Sequence, residues 1–174
     1  VILDRQQNNM CELPVQSLFT KTDIVKYRLN KIRKDKQSKL CFSADLIEFP
    51  KLWDIIDRLG DRIVICKIHY DIVPEKYREE FKIIMIDKSI KHNFLIMEDR
   101  KFNDISYIVQ KQYKLFENWV DLVTVHGLVT NEVIESLSGV VIVANMSNNI
   151  YDFSNEVLSL AYKNKKNVVG FVSQ

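Results

Sequence analysis

Lys67, His69 and Asp71 stand at alternate positions in the run Ile63-Val64-Ile65-Cys66-Lys67-Ile68-His69-Tyr70-Asp71. Side chains two apart in an extended strand leave the same face, so this spacing predicts that the three share one side of a sheet. Ile63 and Ile65 precede them, which puts the charge toward the carboxyl end of the strand. A second group repeats the pattern: Phe94-Leu95-Ile96-Met97 is wholly apolar, and Glu98-Asp99-Arg100-Lys101-Phe102-Asn103-Asp104 follows, with Asp99 and Lys101 two apart. Lysines and carboxylates gathered at one end of a sheet form a charged array that binds a small anion and stabilises charge as it develops. A half-exposed edge strand gives the same alternation without function, and that bland reading stands beside the chemical one.

Two further runs end in the same way. Ser43 and Asp45 close the run from Leu40, and Asn145-Met146-Ser147 follows Val140 to Ala144. In parallel α/β folds the carboxyl ends of the strands are where chemistry sits. Strand ends also meet solvent-facing loops, which accounts for some polar endings by itself.

The elements that must position these groups follow from periodicity. Six apolar, β-branched runs, at Leu40–Asp45, Ile63–Val73, Phe94–Glu98, Val120–His126, Val140–Met146 and Val168–Val172, alternate with helical stretches. The helical stretches are Lys51–Leu59, Glu75–Lys91, Asp104–Phe116, Asn131–Leu137 and Asn155–Lys163, with Pro50 and Pro74 at positions that open helices. Strict alternation predicts an α/β fold of parallel strands, either an open doubly wound sheet or a barrel. Gly60, Gly127, Gly139 and Gly170 are isolated, so no Gly-rich phosphate loop favours the doubly wound nucleotide-binding fold. Before the first run, Val1–Leu3 reads as a short strand, and Ser17–Lys36 as a helix with Val25, Leu29 and Ile32 on its apolar face. Its basic residues, Lys21, Lys26, Arg28, Lys31, Arg33, Lys34 and Lys36, read as a solvated face.

Composition narrows the function classes. The chain has 174 residues, 25 basic and 23 acidic, so a net charge of +2 gives no reason to expect nucleic acid or an anionic membrane as partner. Cys11, Cys41 and Cys66 are odd in number, and the latter two lie in apolar runs, which predicts reduced core thiols. No C-x-x-C or H-E-x-x-H pattern predicts a metal. Neither a signal peptide nor a membrane-spanning run is read, so the expected location is cytoplasmic.

Taken together, K-x-H-x-D at Lys67 to Asp71 and F-L-I-x-E-D-R-K-F-x-D-I at Phe94 to Ile105 resemble the orotidine 5'-monophosphate decarboxylase family. L-C-x-S-A-D at Leu40 to Asp45, W-x-D-L at Trp119 to Leu122, His126-Gly127, A-x-M-S at Ala144 to Ser147 and V-V-G-F-x-S at Val168 to Ser173 occur in the family's order. Val1-Ile2-Leu3-Asp4-Arg5-Gln6-Gln7 is similar to the closing strand of the phosphoribosyltransferase domain of UMP synthase. The resemblance therefore implies a remnant strand and linker over 1–16 and a decarboxylase-like domain over 17–174. It implies an incomplete TIM-type (β/α) barrel with six of eight parallel strands and an N-terminal helix.

The implied activity is conversion of orotidylate to UMP and carbon dioxide in pyrimidine biosynthesis, without metal or organic cofactor. Lys67, Asp99, Lys101 and Asp104 match the family's catalytic positions, with Asp104 reaching a neighbouring subunit's site. The resemblance implies that Asp99 crowds the substrate carboxylate and that Lys101 protonates C6. Ser43, Asp45, Lys67, His69 and Ser147 match the substrate-binding positions, and Asp71 is given only a supporting role. The implied partners are orotidine 5'-monophosphate or a UMP-like nucleotide and a second subunit, as homodimer or as heterodimer with a UMP synthase. Two departures are read from the residues. The chain ends at Gln174, before the family's seventh and eighth strands and their phosphate contacts, and Ile108 stands where the family has threonine. Loss of two charge-assisted contacts implies a fall of roughly 10²–10⁴ in kcat/KM. A second reading follows: a catalytically defective relative acting as a binding or regulatory module through the dimer surface.

Overall fold

The structure, a computed structural model, describes residues 19–46, 48–146 and 153–173. Among these, six parallel strands form one sheet: β1 (Leu40–Ser43), β2 (Ile63–Ile68), β3 (Leu95–Phe102), β4 (Leu122–His126), β5 (Val140–Val143) and β6 (Val168–Val172). Their order is β1-β2-β3-β4-β5-β6, with no reversal. A doubly wound sheet needs a reversal where its strand order switches, so the barrel reading holds and the open-sheet reading falls.

The helices are α1 (Lys21–Asp35), α2 (Phe49–Leu59), α3 (Arg78–His92), α4 (Ser106–Tyr113), α5 (Asn131–Glu135) and α6 (Ser154–Lys163). All five crossover helices bury residues in one cluster with Cys66, Ile68, Ile96, Val123, Val125 and Ile142 of the strands. They therefore lie on one side of the sheet, which curls away from them as a half-barrel. Pro50 sits in the first turn of α2, where its missing N–H costs nothing.

The concave side is closed by α1. Val25 and Ile32, with Leu29, pack against Val64, Leu95, Met97, Leu122 and Val141 in a second cluster. Thr20 caps this helix through a reciprocal capping box with Asp23. The basic face expected to be solvated is in large part engaged with protein. Lys36 Nζ donates to the carbonyls of Gly60 and Ile63, both at 2.8 Å, and to that of His92. Lys21 donates to the Glu117 carbonyl, Lys26 to the Lys165 carbonyl, and Arg28 pairs with Asp121 at 2.6 Å. Gly60 and His92 end α2 and α3, so Lys36 sits where helix dipoles leave negative ends. These contacts fall at the amino ends of the strands and plug that mouth of the half-barrel.

Several boundaries differ from expectation for physical reasons. β2 stops at Ile68 rather than Val73, because the chain folds into two short 3-10 turns, Tyr70–Ile72 and Glu75–Tyr77, ahead of α3. Asp71 thus leaves the shared face and lies 3.6 Å from Arg100 Nη1. β3 extends beyond Glu98 to Phe102. β2 pairs with both β1 and β3, so it is not an edge strand. Cys66 is core, as expected, but Cys41 is exposed on the edge strand β1. The Val1–Leu3 run, Cys11 and the 1–16 segment lie outside the described residues.

Replacing Lys36 by Met keeps the stem but strips three carbonyls of their donor. The expected cost is about 2–3 kcal/mol of unfolding free energy, read from the shift of a urea transition at constant slope. An unchanged midpoint would show that water replaces the lysine without loss.

Candidate active site

Along the concave face each inner strand passes from apolar to polar toward its carboxyl end, β2 one same-face position earlier than β3 and β4. β3 presents Leu95 and Met97 to α1 and then Asp99, while β4 presents Leu122 and then Thr124. β2 presents Ile65 and then Lys67, which is in register with Ser43 of β1 and Met97 of β3. Apolar packing against α1 thus gives way to charge at the carboxyl ends.

Asp99 is the centre of this cluster. Its Oδ2 accepts from Lys67 Nζ at 2.9 Å and from Lys101 Nζ at 2.8 Å, and His69 Nε2 lies 3.3 Å away. Its Oδ1 accepts from the buried Thr124 hydroxyl at 2.8 Å. Burial pushes the Asp99 carboxyl upward, but hydrogen bonds from Lys101, Lys67 and Thr124 outweigh it and hold the group down to about 2. Asp45, more exposed, places Oδ2 at 3.9 Å from Lys67 Nζ and Oδ1 at 3.9 Å from His69 Nε2.

A local irregularity lets one strand supply both Asp99 and Lys101. Glu98 pairs with Val123 and Phe102 with Val125, so four residues of β3 oppose two of β4. Lys101 takes a φ of +49°, a left-handed conformation that strains a residue with a side chain. Its N–H donates to Thr124 Oγ1 at 2.8 Å, so the residue that orients Asp99 also secures the bulge. Strain of this kind persists only where neighbours over-determine it, and it gathers at functional sites.

Of the expected site residues, Asp45, Lys67, His69, Asp99 and Lys101 come together, and Ser43 ends β1 beside Lys67. Asp104 stands apart and exposed, its Oδ1 accepting the Ile105 N–H ahead of α4. Ser147 lies outside the described residues. Thr124 was not among the expected residues, although its position two before His126 in an otherwise apolar strand is a readable sign. A separate open cleft of about 740 Å³ between α5 and α6, lined by Asn131, Glu132, Asn155 and Lys163 among others, contains none of these charges.

The family model for orotidine 5'-phosphate decarboxylase / HUMPS proteins matches residues 38–174, which include the whole charged cluster. The chain belongs to that family. An orotidine 5'-phosphate decarboxylase of Pichia kudriavzevii is 31% identical over 172 residues, covering 88% of this chain and 66% of the relative. One from Candida parapsilosis is 31% identical over 174 residues, covering 89% and 65%. The chain thus spans just under two thirds of the length of these relatives. In fold it is similar to the Methanocaldococcus jannaschii orotidine 5'-monophosphate decarboxylase complexed with the inhibitor BMP, with a TM-score of 0.61 at 19% identity, covering 74% of this chain and 64% of that one. The Plasmodium berghei orotidine 5'-monophosphate decarboxylase gives 0.64 at 14% identity, covering 84% and 75%. These likenesses bear out the (β/α) barrel class.

Because the Asp99 carboxyl is held below its ordinary value of 3.8, its ionisation supports folding above that value, and the support fades as pH falls through about 2. Asp99→Asn should therefore cost about 2–3 kcal/mol near pH 5 and progressively less toward pH 2. Thermal midpoints of both proteins across that range check it; a constant gap would mean that Asp99 is not held by its cations.

Proposed function

We propose that this chain binds orotidine 5'-monophosphate at the Lys67–Asp99–Lys101 cluster and converts it to UMP and carbon dioxide. The supporting observation is a single carboxylate oxygen, Asp99 Oδ2, bonded by two ammonium groups at 2.9 and 2.8 Å on the concave face. An anion fixed beside the place where a substrate carboxylate docks disfavours the bound ground state. The disfavour disappears as the carboxylate becomes neutral carbon dioxide. Binding energy from the rest of the nucleotide holds the pyrimidine against that repulsion.

In the proposed step the C6–carboxylate bond breaks and its electron pair stays on C6. Lys101 then supplies the proton that forms the C6–H bond, and solvent restores the lysine. Lys67 balances the charge of Asp99 and orients it. Ser43, Asp45 and His69, together with Ser147, take the base and ribose. The chemistry draws on charges preorganised by the fold, which is where such sites derive most of their rate.

Membership of the family and the relatives' names support this reading over a binding-only module, which no specific observation favours. A cytoplasmic protein of pyrimidine biosynthesis, assembled as a homodimer or with a UMP synthase, accords with it. Among the described residues no helix is long and apolar enough to cross a membrane. Asp104 is exposed beside the exposed apolar side chains of Ile105 and Tyr107, an arrangement suited to completing a second subunit's site.

Ultraviolet absorbance of orotidine 5'-monophosphate incubated with the protein tests the activity directly. Lys101→Ala and Asp99→Ala should each lower kcat at least about 10²-fold. Wild-type turnover no faster than that of Lys101→Ala would sink the proposal. Asp104→Ala should depress kcat/KM while leaving the thermal midpoint unchanged, since the carboxylate is exposed and, among the described residues, accepts just its neighbour's N–H. A parallel loss of midpoint would reassign Asp104 to folding.

A further inference from the structure

Glu98 is fully buried immediately before Asp99, yet nothing in the proposed chemistry uses it. It stands in register with Val123, whose side chain packs among the crossover helices, so it leaves β3 on the convex side. Its Oε2 accepts the Tyr70 N–H at 3.0 Å, while Oε1 has no hydrogen-bond partner among the described residues. A buried polar atom without a partner calls for a specific reason.

Tyr70 supplies one. β2 ends at Ile68, so His69 is beyond the strand, and Tyr70 begins the 3-10 turn that follows. The Tyr70 ring is held by Trp119 at 5.2 Å, Phe116 at 6.0 Å and Phe81 at 6.3 Å, with the Arg78 guanidinium 5.9 Å from its centre. The ring is thus fixed to the helices, and the N–H is fixed to β3 by Glu98. His69, one residue earlier, reaches Asp99 from the other side of the sheet.

We propose that Glu98 is a positioning residue: its carboxyl, bound to the Tyr70 N–H, locks the turn after β2 onto β3 and so sets His69 against Asp99 and the substrate. Its effect on substrate rests on the orotidylate reading above, whereas the lock between the two segments does not. The lock works with a neutral carboxyl. Burial pushes Glu98 up to about 8 against the Tyr70 N–H, with Asp71 and Asp99 adding to the rise and Arg100 opposing it. Arg78, over the Tyr70 ring, and Glu79 are further charges facing this turn among the described residues. A folded value above the ordinary 4.5 means that stability is fully present below about 4.5 and declines as pH rises to about 8. Glutamine reproduces the neutral form and its acceptor; leucine keeps the bulk and removes the acceptor.

The test is the Tyr70 backbone amide in the full chain, followed by NMR. In the wild type its proton shift should move with pH between about 6 and 9 and be static in Glu98→Gln, which should keep the amide protected from exchange. Glu98→Leu should lose at least about tenfold of that protection, the measure of one missing hydrogen bond, and raise KM for orotidylate about tenfold with kcat within about threefold. Unchanged protection in the leucine variant, or failure of glutamine to restore it, overturns the lock. Should the leucine variant not fold, the wild-type titration against Glu98→Gln decides, and an amide that titrates alike in both overturns it. Expected amide behaviour in a protein without turnover would overturn the orotidylate reading and leave the lock supported.

Discussion

The site depends on one constraint: Asp99 must remain charged although it is only 8% exposed. Left alone, burial would neutralise it, because an unpaired carboxylate in a low-dielectric setting costs several kcal/mol. Two ammonium groups and one hydroxyl offset that cost, and each comes from a different structural decision. Lys67 comes from the neighbouring strand, in register with Met97 and so one same-face position below Asp99, Thr124 from the strand on the other side, and Lys101 from β3 itself. Only the last requires the backbone to depart from regular pleating. Regular alternation would put residues 99 and 101 on the same face some 6–7 Å apart along the strand. The bulge and the left-handed Lys101 bring its ammonium to the same carboxylate oxygen that Lys67 reaches.

Rigidity at one mouth of the half-barrel permits strain at the other. α1 fills the amino-terminal mouth with apolar side chains and sends Lys21, Lys26, Arg28 and Lys36 to acceptors around its rim. Asp121 joins the two layers, since it pairs with Arg28 and accepts the Ile96 N–H near the start of β3. The strands are therefore anchored below the level at which their side chains turn polar. Displacing that anchor would move Lys67, Asp99 and Lys101 together, because β2 and β3 are packed on the same helix.

Much of this was readable from residue spacing, and the failures have identifiable causes. The six strands and five crossover helices follow from period, and the grouping of Lys67, Asp99 and Lys101 follows from their recurrence at the ends of apolar runs. Alternation alone places Asp71 on the shared face, but β2 ends at Ile68 and the chain then turns to feed α3. Thr124 carries a weak signal, because a threonine among valines reads equally well as an ordinary strand residue. Periodicity alone makes the basic face of α1 look solvated, because a helix's neighbours cannot be seen in its own sequence. The carbonyls that bind those cations belong to residues as distant as Gly60, Glu117 and Lys165.

Glu98 and Asp99 are adjacent carboxyls on one strand driven in opposite directions by the faces they occupy. Asp99 points to a side where three donors meet it and is held down to about 2. Glu98 points to a side with one backbone N–H and aromatic surroundings and is pushed up to about 8. The two effects reinforce each other. A neutral Glu98 adds no second negative charge beside Asp99, so Lys67 and Lys101 serve a single anion rather than dividing their attraction between two. A fully ionised Asp99, in turn, helps keep the proton on Glu98. Charge on the concave face and neutrality on the convex face are one arrangement, set by which side of β3 meets cations and which meets the helices.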